Sequence, residues 1–342
     1  MCIVLLTTAH PKYALIALDN RDEYVLRPTS RPHWWTHHAS GAKILSARDL
    51  HRRERGTWLG VSKSGRFAVL TNYRKSSQDD PDHAICGTRS RGGMVTSWLG
   101  APAEDTLDDF VQKMLEGRMT KGVGGFSLIC GDLKAKVRNG SEPLAIISNR
   151  ADHPDDVPRV ANERGQTYGL SNTVHEEPVT WPKIKIGKKL LEETVQEAVA
   201  DDLNQDELVE KLFAVLDDDQ LPLEPKMTMQ EHMNALRQSV FIHAFGDEQE
   251  WNDMANAVSK GRAKEAFDEI EDESESEEKL RDEPLVNFMT GAYGTQRQTL
   301  ILLDWEGNVT YKERALWDAH GNPVERGTGD RVFSYKIDGQ DD

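Results

Sequence analysis

The residues near the start of the chain that could do chemistry are a thiol, a guanidinium and a carboxylate. Cys2 directly follows Met1, and Arg21 and Asp22 close the second of two apolar segments. A small residue in second position permits removal of Met1, which would leave Cys2 as the N-terminus. Its α-amine would then have a pKa of roughly 7.7–8. Because a base of that strength beside a thiol can accept the thiol proton, we predict a nucleophilic cysteine at position 2.

A β-hairpin would bring these three groups together. Residues 2–9 and 13–18 are rich in aliphatic and β-branched side chains, and His10-Pro11-Lys12 between them is a turn signal. For a hairpin centred near Pro11, paired positions sum to about 22, so we expect Cys2 opposite Asn20. Arg21 would then favour the thiolate, and Asp22 would orient the amine. The alternative is that Cys2 is a small buried residue that only begins an edge strand.

The composition limits the classes of partner and cofactor. With 42 basic and 58 acidic residues the formal net charge is −16, which argues against nucleic acid and anionic lipid as partners. No window approaches a spanning helix, and we predict no secretory signal, so any membrane association would be peripheral. Three cysteines without CxxC spacing indicate a reducing compartment and predict a cytoplasmic protein. In the His- and Trp-rich residues 31–38, the adjacent His37 and His38 would point to opposite sides of an extended chain, so we predict no metal site and no resident cofactor.

Both hairpin segments are apolar on both faces, so the sheet that they form needs cover on both sides. Amphipathic helical patterns between the hairpins supply that cover, which indicates an α+β layered sandwich. The segment 246–283 differs in composition, and eleven of the nineteen residues from Glu265 to Glu283 are acidic. We expect 246–283 to be a disordered insertion within a single domain of residues 1–342. A regulatory or partner-binding loop is the alternative for this segment.

A series of short motifs resembles the Transport and Golgi organisation 2 family, also called the NRDE family. The motifs follow in order over nearly the whole chain: MCIVLL at residues 1–6, Asn20-Arg21-Asp22-Glu23, Arg27-Pro28, Ile44-Leu45 with Arg48-Asp49-Leu50, Gly56-Thr57-Trp58-Leu59-Gly60, Leu70-Thr71-Asn72-Tyr73-Arg74, Ser90-Arg91-Gly92, Tyr168-Gly169-Leu170-Ser171-Asn172 and Tyr293-Gly294-Thr295. That family is similar in pattern to N-terminal nucleophile hydrolases of the bile-salt hydrolase and penicillin V acylase group. The resemblance implies a four-layer αββα fold with antiparallel sheets.

The resemblance also implies a catalytic set. In the hydrolases that the family resembles, strand-ending asparagines help to form the oxyanion hole, which here implies Asn72 and Asn172. Asn72 could instead cap a turn. We therefore expect Cys2, Arg21, Asp22, Asn72 and Asn172 to be catalytic. We expect the substrate to contact a further set, namely Asn20, Trp58, Tyr73, Arg91 and Arg297.

Two of the arginines in that set have alternatives. Arg91 precedes a helical stretch and could hold a carboxylate or phosphate, or serve as a structural salt-bridge partner. The family usually reads Tyr-Gly-Thr-Arg where this chain reads Tyr293-Gly294-Thr295-Gln296-Arg297. One extra residue on a strand turns a side chain to the other face, so the role of Arg297 stays open.

Three functions are consistent with these residues. The first is hydrolysis of amides or thioesters by Cys2, with a role in Golgi organisation, secretion or acyl-CoA and lipid homeostasis. The second is a non-catalytic carrier or chaperone for an acyl-lipid or for haem, which would then be a transported ligand. The third is a scaffold that works through the acidic segment. The resemblance implies a small molecule or an acyl-lipid as the partner. It also implies association with the Golgi or mitochondria as the alternative to a purely cytoplasmic location.

Overall fold

The computed structural model of the chain describes residues 2–51, 54–72, 90–117, 119–120, 123–173, 175, 180–222, 229–259 and 291–339. The strands, in chain order, are β1 (Ile3–Thr7), β2 (Tyr13–Tyr24), β3 (His33–Thr36), β4 (Lys43–Ser46), β5 (Leu59–Ser62), β6 (Arg66–Asn72), β7 (Phe126–Asp132), β8 (Leu144–Ser148), β9 (Arg159–Val160), β10 (Thr167–Leu170), β11 (Tyr293–Asp304), β12 (Asn308–Ala315) and β13 (Asp330–Lys336). The helices are α1 (Gly92–Leu99), α2 (Leu107–Glu116), α3 (Leu133–Asn139), α4 (Pro182–Ala200), α5 (Gln205–Leu216), α6 (Met229–Ala235) and α7 (Glu248–Ser259).

The strands form two antiparallel sheets. The first sheet has six strands in the order β10-β1-β2-β11-β12-β13, and the second has seven in the order β3-β4-β5-β6-β7-β8-β9. Strands that are neighbours in the second sheet are consecutive strands of the chain, with α1 and α2 in the connection from β6 to β7 and α3 in the connection from β7 to β8. The first sheet is built differently, since β1 and β2 from the N-terminus lie between β10 and β11.

Helices cover both outer faces, so the molecule has four layers in the order αββα. Between the sheets, Val4 and Leu6 of the first sheet share one buried core with Phe67 and Val69 of the second. The opposite face of the first sheet packs on α4 and α5, and the opposite face of the second packs on α1 and α2. The predicted α+β sandwich with four layers is confirmed, and the cover that the two apolar hairpin strands require is present.

The first hairpin has a register one residue away from the predicted one. Ile3 pairs with Asn20 and Val4 with Asp19, so paired positions sum to 23 rather than 22. The reason lies in the turn, where the backbone N–H of Tyr13 donates to the carbonyl oxygen of His10 over 3.3 Å. Pro11 and Lys12 are therefore the two central residues, with proline at the position whose φ it fixes. The prediction that Cys2 lies opposite Asn20 is wrong by this one residue.

The segment 246–283 is ordered where the structure describes it. Helix α7 occupies Glu248–Ser259, and Met254 is 7% exposed in an apolar cluster with Val25, Leu26 and Ala292. The prediction of disorder is wrong for these residues, because one buried methionine anchors an otherwise polar helix. The rest of the predicted insertion, including the acidic run, lies in 260–290, outside the described residues. Within the described ranges, no helix combines the length and the apolar character that crossing a membrane requires.

Candidate active site

Cys2 directly precedes β1, which lies between β10 and β2 in the first sheet. Val4 of β1 pairs with Asp19 of β2 on one side and with Leu170 of β10 on the other. Continuing both registers by two residues places Cys2 level with Arg21 and with Asn172. A thiol, a guanidinium and a side-chain amide therefore lie at the same end of three adjacent strands, β1, β2 and β10.

Hydrogen bonds join Cys2 to the second sheet at this end. The Ser171 hydroxyl donates to the carbonyl oxygen of Cys2 over 2.6 Å. The Thr71 hydroxyl donates to the carbonyl oxygen of Ser171 over 2.9 Å, and the Asn172 side-chain amide donates to the carbonyl oxygen of Asn72. The chain segments around residues 2, 72 and 172 are thereby held together where the two sheets approach each other.

Asn172 has the chemistry of an oxyanion-hole donor. Its side chain is 3% exposed, and one N–H of its amide is used by the Asn72 carbonyl, which leaves the second N–H. Its Oδ1 atom has no hydrogen-bond partner among the described residues. Asn72 itself is half-buried at the last position of β6. Asn72 is the last residue of β6 and Asn172 follows β10 by two residues, so both lie at the end of the sheets where Cys2 lies.

Arg21 points between the sheets. Its guanidinium lies 4.3 Å above the Trp58 ring, and its Nη1 donates to Oε1 of Gln296. Only 5% of the residue is exposed. Trp58, which the sequence predicts as a substrate contact, thus supports Arg21 by a cation–π contact.

Asn20 points to the opposite face of the same strand. Its side-chain amide donates to the carbonyl oxygens of Leu216 and Val240, over 2.8 and 3.0 Å. Asn20 is fully buried against the helical layer. The expectation that Asn20 contacts the substrate does not agree with this placement, because alternation along β2 separates it from Arg21.

Asp22 contacts Cys2 through its backbone and the helical layer through its side chain. The Cys2 thiol lies 4.0 Å from the carbonyl oxygen of Asp22, a weak sulfur hydrogen bond. The Asp22 Oδ1 atom accepts a 2.8 Å hydrogen bond from the Thr295 hydroxyl, and Nζ of Lys183 lies 3.5 Å from Oδ2. Asp22 therefore joins the thiol to α4 and β11.

Arg297 faces Arg21 because β11 contains a β-bulge. Thr295 pairs with Asp22 and Arg297 pairs with Arg21, so Gln296 is the extra residue. Arg297 donates to the Trp317 carbonyl over 2.8 Å and lies 3.9 Å from Glu313. The expectation that the extra residue turns Arg297 to the other face is wrong, since the bulge absorbs that residue.

Two remaining expectations concern the second sheet. Arg91 lies at the N-terminal cap of α1 and donates to the carbonyl oxygen of Gly125, over 3.1 Å. Gly125 directly precedes Phe126, which pairs with Asn72, so Arg91 is at the same end of the sheet as Asn72. Tyr73 lies outside the described residues. Within the described ranges, no group of three His, Cys, Asp or Glu side chains could hold a metal ion.

The thiol is in its protonated form at neutral pH. Removal from water raises the pKa of Cys2 to about 11, and the carboxylates of Asp19 and Asp22 act in the same direction. Burial also holds the pKa of Asp19 well above its usual range, and the negative charges of Asp22 and Glu313 add to this effect while Arg21 opposes it. The Trp58 indole lies near the Asp19 carboxyl group, outside ideal hydrogen-bond geometry. The site therefore needs a base before its thiol can act.

Sequence reasoning missed Lys183 and Asp19, which are 0% and 1% exposed. Lys183 shares the buried stripe of α4 with Gly187 and Leu191, and a lysine in such a stripe is a signal that could have identified it. Asp19 interrupts the apolar segment of β2 on the face of Val4. A carboxylate within an apolar strand is the corresponding signal for that residue.

Comparisons with known proteins agree with the motif series. Residues 1–318 match the family described as Transport and Golgi organisation 2. The human protein "Transport and Golgi organization protein 2 homolog" is 29% identical over 307 residues, which cover 90% of this chain and 88% of that protein. The homolog from Bos taurus is 30% identical over 305 residues, covering 89% and 87% of the two chains.

Solved structures give distant matches. Penicillin V acylase from Agrobacterium tumefaciens superposes with a TM-score of 0.42 at 11% identity, covering 98% of this chain and 86% of that one. A conjugated bile acid hydrolase mutant from Clostridium perfringens has a TM-score of 0.39 at 9% identity, covering 98% and 92%. The family match spans nearly the whole chain and includes each of the described segments that surround Cys2. The chain belongs to the Transport and Golgi organisation 2 family.

Proposed function

We propose that this protein is a cysteine hydrolase that cleaves amide or thioester bonds with Cys2 as its N-terminal nucleophile. The observation that supports this proposal is that hydrogen bonds connect residues 2, 71–72 and 171–172, which come from three distant parts of the chain. A thiol, two strand-ending asparagines and a buried guanidinium at one end of two sheets are the components of acyl transfer.

The first half of the reaction forms an acyl-enzyme. After removal of Met1, the α-amine of Cys2 accepts the thiol proton, and Sγ attacks the carbonyl carbon of the substrate. The carbonyl oxygen takes the negative charge and is stabilised by the Asn172 amide and by the chain at Asn72. When the bond to nitrogen or sulfur breaks, the leaving group takes the proton from the α-ammonium group.

The second half releases the acid. The α-amine accepts a proton from water, the hydroxide oxygen bonds to the acyl carbon, and the same two asparagines stabilise the second tetrahedral intermediate. The carbon–sulfur bond breaks, and the thiolate recovers its proton from the ammonium group. Arg21 favours the thiolate by its charge throughout.

Removal of Met1 is the activating step in this scheme. With a thiol pKa of about 11, only a small fraction of Cys2 is ionised near neutral pH. A free α-amine has a pKa of roughly 7.7–8 and is the nearest base that processing would create. The unprocessed chain is therefore expected to be inactive.

The test compares a chain that begins at Cys2, released from a cleavable fusion partner, with a chain that retains Met1. Both are mixed with activated esters, amides and thioesters, and the intact mass is followed over time. We expect a rapid acyl adduct on Cys2 in the first chain, at least ~100-fold slower acylation in the second, and none in Cys2→Ala. Cys130 is fully buried with a pKa of about 12, so it serves as an internal control that stays unmodified. Equal and slow labelling of both chains would contradict the proposal.

A carrier for an acyl-lipid or haem-like ligand is the second candidate, and the high pKa of the Cys2 thiol favours it. In a carrier the thiol is incidental, so Cys2→Ala would bind the ligand with unchanged affinity. Equilibrium binding of a fluorescent fatty acyl probe and of haem to both proteins separates the two candidates. A loss of binding together with a loss of acylation in Cys2→Ala favours the hydrolase.

The cellular role in this proposal is Golgi organisation and secretion or acyl-lipid homeostasis, carried out from the cytoplasm with peripheral membrane contact. The names of the human and Bos taurus relatives, which refer to transport and Golgi organization, support the first of these. Complementation of cells that lack the protein tests the role, with Cys2→Ala and a deletion of residues 265–283 compared side by side. Rescue by the deletion variant but not by Cys2→Ala favours the hydrolase, and the reverse favours a scaffold that acts through the acidic segment.

A further inference from the structure

Lys183 places a buried ammonium group next to the Asp22 side chain, on the side of the first sheet that α4 covers. It is the second residue of α4 and is 0% exposed, although lysine is almost never fully buried without a partner. Its Nζ lies 3.5 Å from Oδ2 of Asp22, whose side chain is also 0% exposed. Burial lowers the pKa of Lys183, while the charges of Asp22 and Cys2 raise it, so the lysine lies within electrostatic reach of both groups.

Close packing of α4 on β1 holds Lys183 in this position. A Cβ atom on Gly187, one turn further along α4, would lie 2.9 Å from Cδ1 of Leu5, and a Cβ atom on Gly169 would lie 2.9 Å from Cγ2 of Ile184. Two glycines therefore allow the helix to approach the sheet closely. The backbone N–H of Lys183 also donates to the carbonyl oxygen of Arg237 over 3.0 Å, which fixes the start of the helix.

Asp22 is fixed from several directions. Thr295 donates to its Oδ1 atom over 2.8 Å, and the Tyr293 hydroxyl donates to its carbonyl oxygen over 2.9 Å. The Thr295 hydroxyl in turn accepts from the backbone N–H of Ile242 over 2.9 Å. With the carboxylate so constrained, its charge acts on Cys2 from a constant position.

A carboxylate at this position would by itself oppose the proposed chemistry. A negative charge beside an amine favours the protonated, ammonium form, and beside a thiol it favours the neutral form. Both effects keep the pair in its fully protonated thiol–ammonium form near neutral pH, so fewer molecules hold the free amine that must accept the thiol proton. A cation that pairs with the carboxylate removes most of this penalty, since the net charge of the pair is zero.

We propose that Lys183 is a positioning residue whose ammonium group neutralises Asp22 and so leaves the Cys2 amine free to accept the thiol proton. This inference rests on the hydrolase function proposed above, because it concerns the base of that reaction. Lys183 acts through Asp22 and does not itself exchange a proton with the substrate.

Other charged groups near Cys2 come from β2 and the residues that follow it. Asp19 and Asp22 raise the pKa of the thiol. Arg21 occupies the neighbouring strand position, and Arg27 is close enough to feel the charge of Cys2. Arg27 is already paired with Asp49 over 2.7 Å and with Glu23 over 3.3 Å, whereas Lys183 contacts Asp22 from the helical layer.

The test measures the pH dependence of Cys2 alkylation in chains that begin at Cys2. We expect Lys183→Met to move the midpoint of the rate profile to higher pH by about one unit, since loss of an adjacent opposite charge typically changes a pKa by 1–3 units. Lys183→Arg keeps the charge and should restore the wild-type midpoint. The matched control is Lys136→Met, because Lys136 is equally buried but binds the carbonyl oxygens of Glu142 and Ala161 away from the site.

A folded Lys183→Met protein with the wild-type midpoint overturns the proposal, as does a Lys183→Arg protein that behaves like Lys183→Met. If Lys183→Met does not fold, the double variant Lys183→Met/Asp22→Asn decides, because it removes both charges. If the double variant has the wild-type midpoint of Cys2 alkylation, the result supports neutralisation of Asp22 by Lys183. If its midpoint is displaced by more than half a pH unit, the result overturns the proposal. Slow alkylation of the wild-type processed chain is a separate result that counts against the hydrolase function itself.

Discussion

The Cys2 thiol, which we propose as the nucleophile, is protonated in the unprocessed chain. Burial and the nearby carboxylates of Asp19 and Asp22 raise its pKa, and only the thiolate is nucleophilic. At the residue scale, reactivity therefore depends on the group that takes the thiol proton and on the charges around it. The pH dependence of the Cys2 alkylation rate should therefore differ between the chain that retains Met1 and the chain that begins at Cys2.

In the chain that retains Met1, we expect the alkylation rate of Cys2 to rise tenfold per pH unit from pH 7 to beyond pH 9. The rise should level only near pH 11, because the thiol pKa is raised to about 11 from an ordinary value of 9.0. At pH 7 this corresponds to a rate about 100-fold below that of an exposed cysteine of equal intrinsic reactivity. Stopped-flow alkylation with mass mapping of the labelled residue measures the profile. A plateau near pH 9 would show that the thiol is not shielded from water as described.

Gln296 is the residue through which β11 meets both Arg21 and the chain after β2. Its amide nitrogen donates to the carbonyl oxygens of Val25 and Arg27 over 3.0 and 2.9 Å, and its oxygen accepts from Arg21. Gln296 is 2% exposed, so water could not replace the hydrogen bonds that these partners would lose if the amide were removed.

We expect Gln296→Ala to lower the free energy of unfolding by about 1–3 kcal/mol, because buried polar groups lose their hydrogen bonds. It should also slow Cys2 acylation in the processed chain, since Arg21 loses the group that orients it. Urea unfolding and acylation kinetics measure the two effects. Gln112→Ala, on the exposed face of α2, is the control and should change stability by less than about 0.5 kcal/mol.

The β-bulge at Gln296 shows how one element can absorb a local change in sequence. Counting residues along a regular strand places Arg297 on the face of Asn20, but the bulge restores it to the face of Arg21. A bulge lets two residues of one strand oppose a single residue of the next. The element therefore preserves the alignment of arginines across β2 and β11 despite the extra glutamine.

Gly294, just before the bulge, allows the segment 242–245 to approach β11. A Cβ atom at position 294 would lie 2.8 Å from Cα of Ala244 and 2.9 Å from the carbonyl oxygen of Ile242. Both contacts are with backbone, so a side-chain rotation cannot relieve them. The neighbouring Thr295 holds Asp22, which connects this close approach to the active site.

We expect Gly294→Ala to destabilise the protein by about 1–3 kcal/mol through overpacking. Gly93→Ala is the matched control, because a Cβ atom there meets nothing within 4 Å and the residue is helical. Its stability should be unchanged or slightly raised, as alanine is the better helix former. Thermal and urea unfolding of both variants give the comparison, and equal stabilities would show that the 242–245 segment moves away from β11 at little cost.

At the scale of the whole molecule, the two sheets share one core. Phe67 of the second sheet is 0% exposed in the same buried cluster as Val4, Ala17 and Ile301 of the first. The candidate active site lies where this apolar core gives way to charged residues at the end of the sheets. The sheets are therefore expected to unfold together, and the site with them.

We expect Phe67→Ala to cost about 3–5 kcal/mol, the usual range for a large buried side chain. Tryptophan fluorescence and exposure of Cys2 to alkylation should give the same urea midpoint, since both report on one cooperative unit. Val332→Ala is the control, because Val332 is 57% exposed on the edge strand β13. Separate midpoints for the two probes would show that the sheets are independent units.

The sequence by itself determined the first hairpin, the layered fold class, the family and the proximity of Cys2 to Arg21 and Asp22. These features depend on local patterns: alternating apolar segments, turn residues and motifs that lie close together in the chain. The positions of Asn72 and Asn172 beside Cys2 were predicted through the family resemblance, and the hydrogen bonds between these segments are consistent with that prediction.

Only the tertiary structure decided which side chains share a face and which distant residues join them. The turn at Pro11 and Lys12 shifted the hairpin register by one residue, so that Arg21 rather than Asn20 is level with Cys2, while the bulge returned Arg297 to the side of Arg21. The contact of Lys183 with Asp22 depends on the packing of α4 against β1, to which no local motif corresponds. The physical reason is that pairing within a hairpin follows from neighbouring residues, whereas contact between layers follows from how whole faces pack.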